Sequence, residues 1–279
     1  MKSNFIKTEN GNLHVISAGE SGNAVLLLSG AGMDNAILSW KRLIPVLAES
    51  YRVFAIDWPK QGKSSPWSGL ADHDFLVKCV DIVRTHFDLK KVMLVGLSQG
   101  GAITLAYTIL NPDKVEKIVV LAPGGIIRFP PVIHQLLWLS AKLPWLTKSI
   151  SKLYFVNRRK TEKASKAILI EPPSDFDEIV DEVMLEAANN GAGATDWQNN
   201  SIGFLRMKVY LVPELHKITC PCLFIQGVKD VAISPKQAAK AAGHIPTAKF
   251  VLLENTGHWP NRQSPEKVNR MILDFLNNN

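Results

Sequence analysis

The chain of 279 residues contains only three cysteines, Cys79, Cys220 and Cys222. An odd number of cysteines without a paired framework argues against a disulfide-stabilised scaffold. The pair Cys220-Pro-Cys222 lacks the spacing of a zinc site, and no His, Asp and Glu cluster has metal-ligand spacing. We therefore expect no bound metal.

Long apolar runs are also missing. No stretch of about 20 apolar residues could span a bilayer. The first ten residues have no apolar core of the kind that secretory signals carry, so a cytoplasmic protein is expected. The net charge is +7, but no basic stripe with aromatic or helix-turn-helix context accompanies it, so we expect no nucleic-acid partner. With 46% hydrophobic and 20% charged residues, the composition is that of an ordinary globular protein.

Short apolar runs alternate with segments of helical periodicity along most of the chain. This rhythm predicts βαβ units and a mostly parallel, twisted sheet flanked by helices. The predicted strands are an amino-terminal hairpin (5–7 and 13–17) and the runs 24–28, 52–56, 91–97, 117–121, 222–226 and 249–253. The predicted helices are 37–47, 75–87, 102–110, 235–242 and 265–276.

The rhythm breaks between residues 126 and 205, where helical patterns occur without a convincing buried strand. We interpret this interval as a helical insertion. It divides the predicted core domain into residues 1–125 and 206–279.

The motif Gly96-Leu97-Ser98-Gln99-Gly100 matches G-x-S-x-G. It follows an apolar strand and precedes a helix, which is the context that exposes a serine hydroxyl on a tight strand-to-helix turn. The amide of Gln99, at the helix amino terminus, would point toward an oxyanion developing beside Ser98.

Two further segments follow predicted strands, Val228-Lys229-Asp230 and Asn255-Thr256-Gly257-His258-Trp259-Pro260. With the G-x-S-x-G turn and the strand rhythm, they resemble the α/β-hydrolase superfamily over nearly the whole chain, and the insertion resembles its variable cap. In that family the triad follows the order Ser, acid, His. The resemblance therefore implies Asp230, after strand 222–226, as the acid and His258, after strand 249–253, as the general base. Glu254 is a rival acid because it lies close to His258 in sequence.

Two loops depart from the family pattern. In Ser29-Gly30-Ala31-Gly32-Met33-Asp34, Ser29 replaces the usual His of the loop that supplies the second oxyanion amide. The resemblance places that donor at Ala31 or at a neighbour as far as Met33, which we also expect to contact substrate. The second loop, 57–64, is similar to D-x-x-G-x-G-x-S with Lys60 at the first Gly, and we interpret it as structural.

These residues predict a serine hydrolase that cleaves a small to medium hydrophobic ester, as a carboxylesterase or lipase-like enzyme, through an acyl-enzyme on Ser98. The mechanism needs no cofactor. A C–C bond hydrolase, an acyltransferase and a non-catalytic ligand receptor of the same fold stay open as alternatives. A serine nucleophile argues against the dehalogenase and epoxide-hydrolase chemistries of the family, which use Asp.

The insertion separates its charges: residues 128–166 hold nine basic residues and one acid, whereas residues 171–196 hold eight acids and no Lys or Arg. We expect the two halves to neutralise each other and to form an apolar pocket above Ser98 that includes Trp138 and Trp145. The alternative, that the basic half lies on an anionic membrane, is left open but not favoured. The sequence predicts no oligomeric state.

Overall fold

The computed structural model describes residues 1–129, 138–139, 142–190 and 195–278. Eight strands form one sheet in the order β1-β2-β4-β3-β5-β6-β7-β8, in which β1 and β2 are antiparallel to their neighbours and the remaining pairs are parallel. The strands are β1 (Lys2–Lys7), β2 (Asn12–Ala18), β3 (Ala24–Leu28), β4 (Arg52–Ile56), β5 (Val92–Leu97), β6 (Val115–Leu121), β7 (Cys222–Gly227) and β8 (Ala248–Leu253). The predicted fold class, a mostly parallel sheet flanked by helices, is confirmed.

Helices cover both faces of the sheet. They are α1 (Ala36–Trp40), α2 (Ile44–Ala48), α3 (His73–His86), α4 (Gln99–Leu110), α5 (Pro144–Phe155), α6 (Arg158–Leu169), α7 (Phe176–Asn190), α8 (Thr195–Ser201), α9 (Pro235–Ala242), α10 (Pro260–Gln263) and α11 (Pro265–Asn277). The structure also has two short 3₁₀ helices, Pro112–Lys114 and Val212–Lys217. Within the described ranges no helix is long and apolar enough to cross a membrane.

The central strands are buried on both faces, which explains their unbroken apolar runs. In β3, Leu26 and Leu28 belong to the core cluster on the side of α3, α4 and α9. Val25 and Leu27 belong to the opposite cluster, on the side of α1, α2 and α11. The period of two along each strand therefore builds two hydrophobic layers around one sheet.

The prediction of a single helix over 37–47 is wrong, because the structure has two short helices there. The first ends at Trp40, and Leu43 N donates to Trp40 O in the turn between them. Pro45 lies at the start of the second helix, where its missing N–H costs nothing, whereas its ring would clash inside a continuous helix.

Helices α5 to α8 lie between β6 and β7 in sequence, where the insertion is predicted. Their buried side chains join the two sheet clusters: Leu169, Ile179 and Val183 pack with the α1–α2 side, and Trp197 packs with the α3–α4 side. The inserted helices are therefore packed directly on the sheet layers.

Candidate active site

The Ser98 turn connects the central strand β5 directly to α4. Ser98 has a φ of 51° and a ψ of −111°, a backbone conformation that residues other than glycine rarely adopt. Its backbone is held by Ser98 N donating to Leu121 O, and by Ala102 N and Gly124 N donating to Ser98 O. These three bonds hold the strained backbone in place. The Ser98 hydroxyl is thereby kept at the carboxyl edge of the sheet.

The two flanking glycines of the motif are required by close backbone approach. A Cβ at Gly96 would lie 2.3 Å from Gly100 O, and one at Gly100 would lie 2.0 Å from Leu28 O. Both distances are far below van der Waals contact, so no other residue fits at either position without moving the turn.

Ser98, His258 and Asp230 come together at this edge, as the sequence predicts. His258 Nε2 lies 3.0 Å from Ser98 Oγ, and His258 Nδ1 lies 2.9 Å from Asp230 Oδ2. Because an ionised carboxylate only accepts hydrogen bonds, the Nδ1 proton belongs to the bond with Asp230. Nε2 is then free to accept the proton of the Ser98 hydroxyl. The rival Glu254 is exposed and makes no side-chain hydrogen bond within the described chain.

Asp230 is buried and accepts three hydrogen bonds besides the one from His258. Ala232 N and Ile233 N donate to its Oδ1 at 2.8 and 2.9 Å, and Gln226 Nε2 donates to its Oδ2 at 2.8 Å. Burial acts to raise the pKa of Asp230, but the bonds from His258, Ile233 and Ala232 outweigh it and hold the pKa below its usual range. Asp230 is therefore ionised at neutral pH and can stabilise a protonated His258.

Two groups of backbone amides near Ser98 have no hydrogen-bond partner among the described residues. The N–H of Gln99 opens α4, and the N–H groups of Ala31, Gly32 and Met33 lie in the loop after β3; none of them donates a hydrogen bond in the part of the chain that the structure describes. A Cβ at Gly30 would lie 3.7 Å from Ser98 Cβ, so this loop runs directly beside the nucleophile. The arrangement fits the predicted oxyanion donors at Gln99 and in the 31–33 loop.

Asp34 holds this loop, a feature that the sequence analysis missed. Its Oδ2 accepts hydrogen bonds from Gly30 N and Ser39 Oγ, both at 2.6 Å, and its Oδ1 accepts from Asn35 N at 2.8 Å. Burial raises the pKa of Asp34 to about 7, with the nearby carboxylate of Glu186 adding to the effect and the three hydrogen bonds opposing it. A carboxylate with these bonds fixes the loop that carries the free amides.

The 57–64 loop also contacts the 30–32 segment, through Gln61. Gln61 Nε2 donates to Gly30 O and to Gly32 O, each at 3.2 Å. Asp57, at the start of the loop, pairs with the buried His14 at 2.7 Å and accepts from Ala36 N at 2.8 Å. The predicted structural role of the loop therefore includes positioning of the oxyanion segment.

The predicted substrate-contact residues are more dispersed. Met33 is buried in the cluster below the loop. Trp138 packs its ring against Phe204 at 5.0 Å, and Trp145 lies on the surface with 68% of its area exposed. Within the described residues, no hydrogen bond or ring contact joins either tryptophan to Ser98, so their contact with substrate stays a prediction.

Trp197, which the sequence analysis did not select, lies beside the Ser98 turn. A Cβ at Gly124 would lie 3.1 Å from the Trp197 ring and 3.4 Å from Ser98 O. The indole N–H donates to His73 Nδ1 at 3.0 Å, which orients the ring. Nothing in the surrounding sequence signals this position, because it depends on how α8 packs over the sheet.

The insertion also contacts the histidine loop. His258 N donates to Ile168 O, near the end of α6, at 2.8 Å. A Cβ at Gly257 would lie 2.2 Å from the same oxygen, so the glycine permits this contact. The backbone of the inserted helix thus holds the histidine loop in place.

Within the described residues, no group of three His, Cys, Asp or Glu side chains could hold a metal ion.

Comparisons with known proteins agree with this architecture. A 2-hydroxy-6-oxononadienedioate/2-hydroxy-6-oxononatrienedioate hydrolase of Cupriavidus pinatubonensis is 25% identical over 289 residues, covering 99% of this chain and 96% of that protein. The crystal structure of the enol-lactonase from Burkholderia xenovorans LB400 matches with a TM-score of 0.80 at 20% identity, over 99% of this chain and 100% of that one.

The naproxen esterase (carboxylesterase NP) of Bacillus subtilis matches with a TM-score of 0.78 at 22% identity, over 99% of this chain and 91% of that one. The family model described as alpha/beta hydrolase fold matches residues 23–265. The chain therefore belongs to the α/β-hydrolase fold family.

Proposed function

We propose that this protein is a serine hydrolase that cleaves a C–C bond beside a ketone carbonyl, with Ser98 as nucleophile. The observation that carries the proposal is the continuous chain of contacts from Ser98 Oγ to His258 and on to Asp230, at 3.0 and 2.9 Å. The class of bond is supported by several relatives named as 2-hydroxy-6-oxononadienedioate hydrolases, 24–26% identical over at least 95% of this chain.

The geometry supplies each proton transfer. Ser98 Oγ adds to the carbonyl carbon as its proton passes to His258 Nε2, and Asp230 stabilises the imidazolium. The oxyanion accepts hydrogen bonds from Gln99 N and from the 31–33 loop, a contribution of about 3–4 kcal/mol per donor.

Collapse of the oxyanion breaks the C–C bond, and the departing carbon takes the electron pair and receives the proton from His258. Water, deprotonated by His258, then cleaves the acyl-enzyme and regenerates Ser98. Such a leaving group is acceptable only if conjugation stabilises its carbanion, so the substrate class is a ketone with an adjoining conjugated oxo or hydroxy acid.

A second candidate is a carboxylesterase, which the sequence favours. The same triad cleaves esters, since an alkoxide replaces the carbanion as leaving group. The apolar surroundings of the turn support it: Trp197 and Ile126 are buried beside Gly124 and Gly125. An acyl group would gain up to about 0.8 kcal/mol for each CH₂ that it buries there.

One panel of substrates separates the candidates. A 2-hydroxy-6-oxo-dienoic acid should be turned over with a kcat/KM at least tenfold above that of aryl acetate, butyrate and hexanoate esters. The reverse order would assign the enzyme to the esterases. A fluorophosphonate should label Ser98, and Ser98→Ala should abolish labelling and both activities, since loss of a triad member costs about 10⁴-fold or more. Stoichiometric binding without turnover of any substrate would instead indicate a receptor.

A further inference from the structure

The net charge of the protein is concentrated in one short segment. Residues 138–166 contain eight Lys or Arg and one Glu, a net charge of +7, and the whole chain also has a net charge of +7. The rest of the protein is therefore neutral as a whole. A field of this kind, confined to one part of the surface, attracts anionic partners to that part.

Four of the eight acids in the neighbouring segment 171–196 pair with cations outside the basic segment. Glu178 and Glu182 pair with Lys41, Asp175 and Glu182 with the buried Arg262, and Asp196 with Lys60. Among the described side chains, the expected pairing of the two halves involves a single cation of the basic segment.

That cation is Arg158, which binds Asp177 and Asp181 on α7 and Glu162 on its own helix. The other described cations of the segment make no ion pair with the described residues, and their side chains are exposed. They are Lys142, Lys152, Arg159, Lys160, Lys163 and Lys166.

Large apolar side chains are exposed among these cations. On α5, Trp145 is 68% exposed, Ile150 56% and Leu153 70%, and Val156 at its end is 41% exposed. Trp145, Leu153 and Val156 lie within about 100° of one another around the helix axis, with Lys152 on the same face. A continuous apolar face directed outward is unusual on a protein surface and marks an interaction site.

We propose that this surface, the outward face of α5 with the exposed cations of α5 and α6, docks the protein on an anionic lipid bilayer. We call it the α5 patch. A tryptophan and aliphatic side chains flanked by lysines match the requirements of the interface, where apolar groups enter the acyl boundary and cations meet lipid phosphates. The charge argues for lipid over a second copy of the chain, since two such patches would repel each other.

Vesicle co-sedimentation tests the electrostatic part. The protein should bind phosphatidylcholine vesicles that contain phosphatidylglycerol and release them as salt is raised, and it should not bind pure phosphatidylcholine. The double variant Lys152→Glu/Lys163→Glu should lower the partition coefficient by about tenfold or more. Lys240→Glu/Lys249→Glu, an equal charge change at exposed sites on α9 and β8, should lower it at most about threefold.

The apolar part has its own matched pair. Ile150→Ser/Leu153→Ser should weaken binding to the anionic vesicles by at least about tenfold, whereas Leu110→Ser, at a site that is 68% exposed on α4, should leave binding unchanged. Thermal melting monitored by circular dichroism verifies that each variant is folded.

Three outcomes would overturn the proposal. The first is absence of binding to anionic vesicles at low salt, and the second is equal weakening by the patch and control variants. The third is a wild-type dimer in sedimentation velocity that Leu153→Ser dissociates, which would assign the α5 patch to a second copy of this chain. None of these measurements depends on turnover, so the proposed catalytic function stands or falls separately.

Discussion

Replacing Asp34 by Asn should impair catalysis without destabilising the protein. The carboxylate of Asp34 accepts three hydrogen bonds, and the one from Gly30 N fixes the loop that runs beside Ser98 and carries the proposed oxyanion donors. An amide has one accepting oxygen, so the variant must turn an NH₂ group toward at least one of these donors. Each lost bond to a charged acceptor is worth about 1.5–3 kcal/mol.

The size of the decrease in kcat depends on how much stabilisation of the oxyanion is lost. One misplaced donor costs about 2.7–4 kcal/mol in the transition state, which corresponds to a decrease of about 10²–10³ in kcat. We expect about 10²-fold, because Gln61 still holds Gly30 O and Gly32 O from the other side. KM should change by less than about threefold, since the ground-state carbonyl depends little on these donors.

The free energy of unfolding should not fall together with kcat. The folded-state pKa of Asp34 is raised to about 7 by burial, so the folded protein binds this proton more tightly than the unfolded chain does. The ionised group is therefore destabilising, and its effect develops as pH rises from about 4 to about 7, up to about 4 kcal/mol. Asn carries no charge, so at pH 8 the free energy of unfolding of Asp34→Asn should equal or exceed that of the wild type.

Steady-state kinetics at pH 8, combined with urea denaturation, measures both effects. The control is Asp81→Asn, which alters a hydrogen-bonded carboxylate on α3 that Tyr107 and Arg84 contact away from the site. The control should leave kcat unchanged. A kcat of Asp34→Asn within twofold of the wild type would refute the role of Asp34, and a joint fall of kcat and stability would reduce it to a structural one.

The remaining predictions concern the acid, the pocket and the insertion. Asp230→Asn should lower kcat by about 10³–10⁴-fold and Glu254→Gln by less than tenfold, and the reverse order in a kinetic assay would identify Glu254 as the acid. Trp197→Ala should flatten the rise of kcat/KM with acyl chain length in an ester series. An unchanged rise would show that the ring lies outside the acyl pocket. Arg262→Met should lower the free energy of unfolding by about 3–5 kcal/mol, because it leaves Asp175 and Glu182 unpaired, and an unchanged free energy in urea denaturation would show that water replaces the guanidinium.

The sequence predicted the sheet and the triad because both depend on local signals. Buried strands are unbroken apolar runs, and the residues that follow them gather at one edge of a parallel sheet. The family resemblance then pointed to Asp230 and His258 as the partners of Ser98, because each follows such a strand. The glycine at position 96 is likewise explained locally, since its Cβ would meet Gly100 O of the same motif, whereas Gly100 is required by Leu28 O at the end of the neighbouring strand β3.

The parts that were missed have no motif that marks them in the sequence. Asp34 bonds to residues close to it in sequence, but nothing there shows that this loop carboxylate is buried. Trp197 lies beside the Ser98 turn only because of how α8 packs on the sheet. The expected neutralisation within the insertion was mostly wrong for the same reason. Charge counting could not show that Lys41 and Arg262 of the core would take up the acids.

The bond from His258 N to Ile168 O has a consequence for how this enzyme can be re-engineered. An inserted segment is often regarded as a module that can be exchanged to change specificity, but here its backbone bonds directly to the loop that carries His258. A chimera that imports a foreign cap must reproduce a carbonyl at this point, opposite a glycine at position 257. Grafts that replace the rest of the insertion while keeping residues 165–171 should retain turnover, and those that cut through α6 should lose it even when they fold.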